Sequence, residues 1–122
     1  MPVKEWKEVW EDLRRELTRL MAEGKPIETL CQKRPNRVIA VGDDFVVVRA
    51  AAPERETKCR CVEEWQIRKA WQALVERGEL KGLIPELKER RVGAITYAIL
   101  ALLPYVEGGC EGRHVVLRLR DP

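Results

Sequence analysis

Apolar side chains recur at intervals of three and four along residues 3–23, where Trp6, Val9, Trp10, Leu13, Leu17, Leu20 and Met21 share one face. That period predicts an amphipathic helix, which Gly24 and Pro26 end. Glu11 and Arg15 stand one turn apart in the favourable order, as suits a solvated outer face. The stretch 26–36 is a loop with room for one helical turn, begun by Thr29 and Gln32 as a capping box and stopped by Pro35. It carries Lys25, Lys33, Arg34 and Arg37 in or beside it. The β-branched runs RVIAV (37–41) and FVVVR (45–49) flank Gly42-Asp43-Asp44 and predict a β-hairpin. Both faces of these runs are nearly apolar. Either helices cover the hairpin or one face joins a larger sheet.

A polar loop follows over 51–60, and the helical period returns over 62–77 with Ile67, Ala70, Trp71, Leu74 and Val75 on one side. Gly78 sits where a left-handed cap belongs. Pro85 suits the first turn of a short helix to about Arg90, with a turn over 91–93 and a strongly apolar helix over 94–103. Residues 113–120 alternate, with Val115, Leu117 and Leu119 predicted inward and His114, Val116, Arg118 and Arg120 outward. Gly108, Gly109 and Gly112 let the chain turn back, so Tyr105 and Val106 can supply a short opposing strand.

A chain of 122 residues is the size of one domain with one core, and the mixture of elements makes it α+β. Its parts are an N-terminal helix (1–24), a hairpin (37–49) and a helical unit ending in a basic strand (62–120). Charged residues make up 35% of the chain, well above the usual quarter, while Asn36 is its one asparagine; this resembles thermophile usage. No apolar run reaches the roughly 18 residues of a membrane span, and the opening residues are charged rather than signal-like. The expectation is a cytoplasmic protein away from membranes.

In that compartment Cys31, Cys59, Cys61 and Cys110 are expected as free thiols. Cys59, Cys61, Cys110 and His114 could furnish four soft ligands for zinc. The Cys-x-Cys spacing is tighter than usual and the halves lie far apart, so neither metal nor any other cofactor is expected. Catalytic motifs are missing too. There is no phosphate-cradling glycine loop and no nucleophile elbow, and the acid pairs Asp43-Asp44 and Glu63-Glu64 suit a turn and a helix start. The chain reads as a binding module, not an enzyme.

The succession of helix (62–77), short helix (85–90), apolar helix (94–103) and a glycine-containing connection into a basic strand resembles a winged helix-turn-helix. The resemblance covers about half the chain and rests on order and spacing. It implies that 94–103 is a recognition helix and 105–120 a wing. Nucleic-acid contacts would then come from Arg90, Arg91, Thr96, Tyr97, Arg113, Arg118 and Arg120, with duplex DNA as the partner. AITYAILALL has only Thr96 and Tyr97 as polar side chains, so it reads equally well as a central core helix. The net charge of +3 is too small to decide the matter. The alternative is a protein-interaction module or homodimer, with the apolar helix or the Trp-bearing first helix as interface.

Overall fold

Burial of the Trp6 to Leu20 stripe organises the N-terminal half. In the computed structural model, which describes residues 4–51, 59–88 and 92–120, helix α1 (Trp6–Glu23) buries Val9, Trp10, Leu13, Leu17 and Leu20. It ends as predicted at Gly24, whose φ of 68° is left-handed, with Lys25 N–H donating back to Leu20 O at 3.0 Å. The stripe packs on a four-stranded antiparallel sheet, ordered β1 (Ile27–Glu28), β2 (Pro35–Val41), β3 (Phe45–Ala50) and β4 (Cys59–Glu63). Val38, Val46, Val48 and Val62 are buried on the covered face. Trp6 and Trp10 belong to this packing: Trp10 Nε1 donates to Asp43 O at 2.7 Å, and Trp6 Nε1 to Glu64 Oε1 at 2.8 Å.

Two details differ from the sequence expectation here. Thr29 Oγ1 accepts from Arg34 N–H at 3.0 Å, rather than forming a box with Gln32, and Pro35 and Asn36 already belong to β2. Cys59 and Arg60, expected in a loop, form the first half of β4, paired with Arg49 and Val48.

Strand β4 runs directly into α2 (Glu64–Arg77), where Glu63 N–H donates to Gln66 Oε1 at 2.9 Å and so satisfies the helix start. After Gly78 the chain forms β5 (Glu79–Lys81), α3 (Pro85–Lys88), α4 (Gly93–Leu100), β6 (Val106–Glu111) and β7 (His114–Leu119). The last strands make a second antiparallel sheet in the order β5-β7-β6. Gly93 opens α4 because a Cβ there would lie 2.6 Å from Leu83 Cδ1. In β7, Leu117 is buried as expected, but so is Val116, which shares its side of the strand with Arg118. One cluster of buried side chains draws on α1, β1 to β4, α2, β5, α3, α4, β6 and β7. The protein is thus a mixed α+β chain, and no helix among the described residues is long and apolar enough to cross a membrane.

Candidate functional site

Helix α4 lies in the middle of this core. Every residue from Ile95 to Leu100 is buried, and the helix contacts α2 on one side and β1, β6 and β7 on others. A helix apolar on all faces has no wet side to offer. Thr96 and Tyr97, expected on an open face, are 0% exposed. The Tyr97 hydroxyl donates to Gly82 O at 3.0 Å and accepts from Ile84 N–H at 3.2 Å, bracing the turn that precedes α3. Burial pushes this phenol above its usual range. Neither side chain can reach a ligand on the surface, which corrects their assignment as contacts.

The turn between β1 and β2, whose strand β1 packs on α4, is held by a bond that the sequence does not announce. Cys31, in that turn, is joined to Cys110 on β6 by a disulfide. The expectation of four free thiols is thereby corrected: the fold brings together two cysteines that are 79 positions apart, and only Cys59 and Cys61 remain free. With Cys110 committed, the four-ligand zinc set is not assembled. Among the described residues no group of three or more His, Cys, Asp or Glu is placed to hold a metal ion.

Beside the disulfide a groove of about 450 Å³ opens between the two sheets. Its charged and titratable lining comes from Arg34 in the β1–β2 turn, Arg60 in β4, Arg113 in the β6–β7 turn and His114 at the start of β7. Among the described residues no acidic side chain lines it. Leu30, Leu83, Ile95 and Val115 give it an apolar floor, and Thr29, Gln32 and Asn36 supply neutral polar groups. The local folding is specific. Asn36 Nδ2 donates to Arg34 O at 3.2 Å, and Lys33 takes a left-handed φ of 55°, so the turn projects Arg34 toward the groove. Among the described residues neither Arg34 nor Arg113 has an ion-pair partner. The first turn of α4 also borders the groove, through Ala94 and Ile95, and its N-cap Val92 makes no side-chain cap. The helix dipole therefore adds positive potential to that of the arginines.

Comparison with known protein families, with curated proteins and with solved structures gives no match. The site's chemistry rests on its own geometry.

Against that geometry the expected contact residues separate. Arg113 is exposed at the hairpin turn and lines the groove. Arg118 does not line it; its guanidinium spans the second sheet, donating to Glu79 Oε1 at 2.7 Å and to Glu111 Oε1 at 2.8 Å. Hydrogen bonds to these carboxylates raise the Arg118 pKa, and the Arg118 bond holds that of Glu111 below its usual range. Arg120 is exposed at the end of β7, outside the groove lining. Arg90 and Arg91 lie outside the described residues. Arg34, Arg60 and Asn36 were not singled out as contacts. The sequence signal for Arg34 is the basic content of the loop at 25–37, and Arg60 carries none.

Proposed function

We propose that this protein is a non-catalytic nucleic-acid-binding module that grips the phosphate backbone of DNA in the groove between its two sheets. The observation that carries the reading is the convergence on one concave surface of Arg34 and Arg113, neither of which has an ion-pair partner among the described residues. Guanidinium forks match phosphate oxygens, and contacts to phosphate position a protein without reading bases. The succession α2, α3, α4 and the β6–β7 hairpin supports a winged-helix-like unit in which the hairpin is the wing. Arg113 at the tip of that hairpin is then a wing contact. The buried α4 is its scaffold, so binding is driven by charge rather than by a helix in the major groove.

A salt titration of duplex DNA binding tests this. Replacing Arg34 and Arg113 together by Ala should lower the slope of log K against log salt by about 1.8, at roughly 0.9 per lost phosphate contact. Arg118→Ala is the control, since its charge is already met by Glu79 and Glu111; the slope should stay. No binding by the wild-type protein at about 50 mM salt, where such attraction is strong, overturns the reading and leaves the protein-interaction module.

A further inference from the structure

A row of arginines on a convex surface is enough to follow a duplex backbone. This groove is different in shape and lining. Its volume of about 450 Å³ is within the range of sites that enclose a small molecule, on the order of 300–1,000 Å³. Its floor is apolar, and an apolar floor does nothing for a phosphate. Leu30, Leu83 and Val115 are half-buried in its lining, with the buried Ile95 beside them, and His114 stands beside Gly82, its Nδ1 4.0 Å from where a Cβ on that glycine would be. A flat heteroaromatic ring linked to a phosphate has the matching chemistry: one part to cover apolar carbon and stack on an imidazole or guanidinium plane, one part to meet the charges.

We infer that the groove holds one unstacked nucleotide, its base on the floor formed by Leu30, Leu83, Ile95 and Val115 and its phosphate between Arg34 and Arg113. A fully stacked duplex cannot present a base to a cavity. Unpaired nucleotides can, because the cost of unstacking is already met there. The inference rests on the nucleic-acid reading above and narrows it from backbone binding in general to sites where a base is free.

The test compares a blunt duplex with the same duplex carrying one unpaired thymidine at its centre, measured by fluorescence anisotropy at one salt concentration. The duplex with the unpaired nucleotide should bind about tenfold tighter, the scale expected of one base–side-chain stack. Ala94 is exposed on the first turn of α4 and lines the groove, so Ala94→Trp should fill the base space without removing a charge. That variant should lose the tenfold preference and keep salt-dependent binding to the blunt duplex. Gln32→Trp, in the exposed turn, fills the same space from the opposite wall should Ala94→Trp fail to give the wild-type circular dichroism spectrum. Equal affinity for both duplexes, with the Arg34 and Arg113 salt slope intact, overturns the inference alone. So does a preference that survives in a folded groove-filling variant. Absence of binding to either duplex overturns the nucleic-acid reading together with it.

Discussion

The disulfide between Cys31 and Cys110 holds their Cα atoms 5.1 Å apart across 79 positions of sequence and ties the wall that carries Arg34 to the hairpin that carries Arg113. A crosslink closing so long a loop restricts the unfolded chain strongly, and the chain-entropy account gives about 4.5 kcal/mol for this length. Unfolding by urea with and without a dithiol reductant should show a loss of roughly that size, and Cys31→Ser should reproduce it. An unchanged midpoint on reduction would mean that the two thiols are not bonded in solution.

Trp71 is 4% exposed and meets the Tyr105 ring edge-on with centroids 5.9 Å apart. It occupies the centre of the buried face of α2, against the helix that lies deepest in the core. Trp71→Ala should cost about 3–5 kcal/mol through lost transfer free energy and the cavity left behind. Chemical denaturation gives the number directly, and a loss of under about 1 kcal/mol would place Trp71 at the surface.

The reach of sequence reasoning can be followed element by element. Helices α1 and α2 were legible because each has an apolar stripe of helical period and a glycine at its C-terminal cap. Strand β4 was not: four of its five residues are exposed, only Val62 points inward, and it turns into α2 without a loop. Strand β5 is three residues long, too short for alternation to register. For α4 the composition signalled burial, while the order of elements suggested an exposed face. Composition won, because β1, from far earlier in the chain, packs on the helix together with α2, β6 and β7. The groove was illegible for the same reason. Arg34, Arg60 and Arg113 belong to three segments that alternation and periodicity treat separately, and the Cys31–Cys110 bond that holds two of its walls together has no sequence spacing to betray it.

Asp12 and Tyr105, 93 positions apart, form a second long-range link: the Tyr105 hydroxyl donates to Asp12 Oδ2 at 2.9 Å, and Lys4 Nζ meets the same oxygen at 3.0 Å. Burial opposes ionisation of Asp12, but the hydrogen bonds from Lys4 and Tyr105 and the charges of Lys4 and Arg15 outweigh it and hold the carboxyl below its ordinary 3.8. Burial and the Asp12 carboxylate push the Tyr105 phenol up, so it stays a donor at any working pH. A carboxyl with a lowered folded pKa contributes stability above its unfolded value and loses it as pH falls through the folded value. The stability difference between wild type and Asp12→Asn should therefore be level from about pH 5 to 8 and shrink below about pH 4. A difference undiminished at about pH 2 would show that ionisation of Asp12 is not its source.

Thr96 is wholly buried in α4, and its Oγ1 has no hydrogen-bond partner among the described residues. A hydroxyl taken out of water without compensation is unfavourable, and Val replaces it at nearly the same volume. Thr96→Val should raise the free energy of unfolding by about 1 kcal/mol, read as a higher urea midpoint at constant slope. A loss of stability would instead mean that the hydroxyl finds an acceptor, such as the carbonyl of Val92 one turn earlier, to which its own N–H already donates at 2.9 Å. The same variant separates the two views of α4. With Thr96 shut inside the core, DNA affinity should be the same for wild type and Thr96→Val at every salt concentration. A folded Thr96→Val protein with weakened binding would show that this face of α4 does reach the nucleic acid, and the groove would lose its place as the principal contact surface.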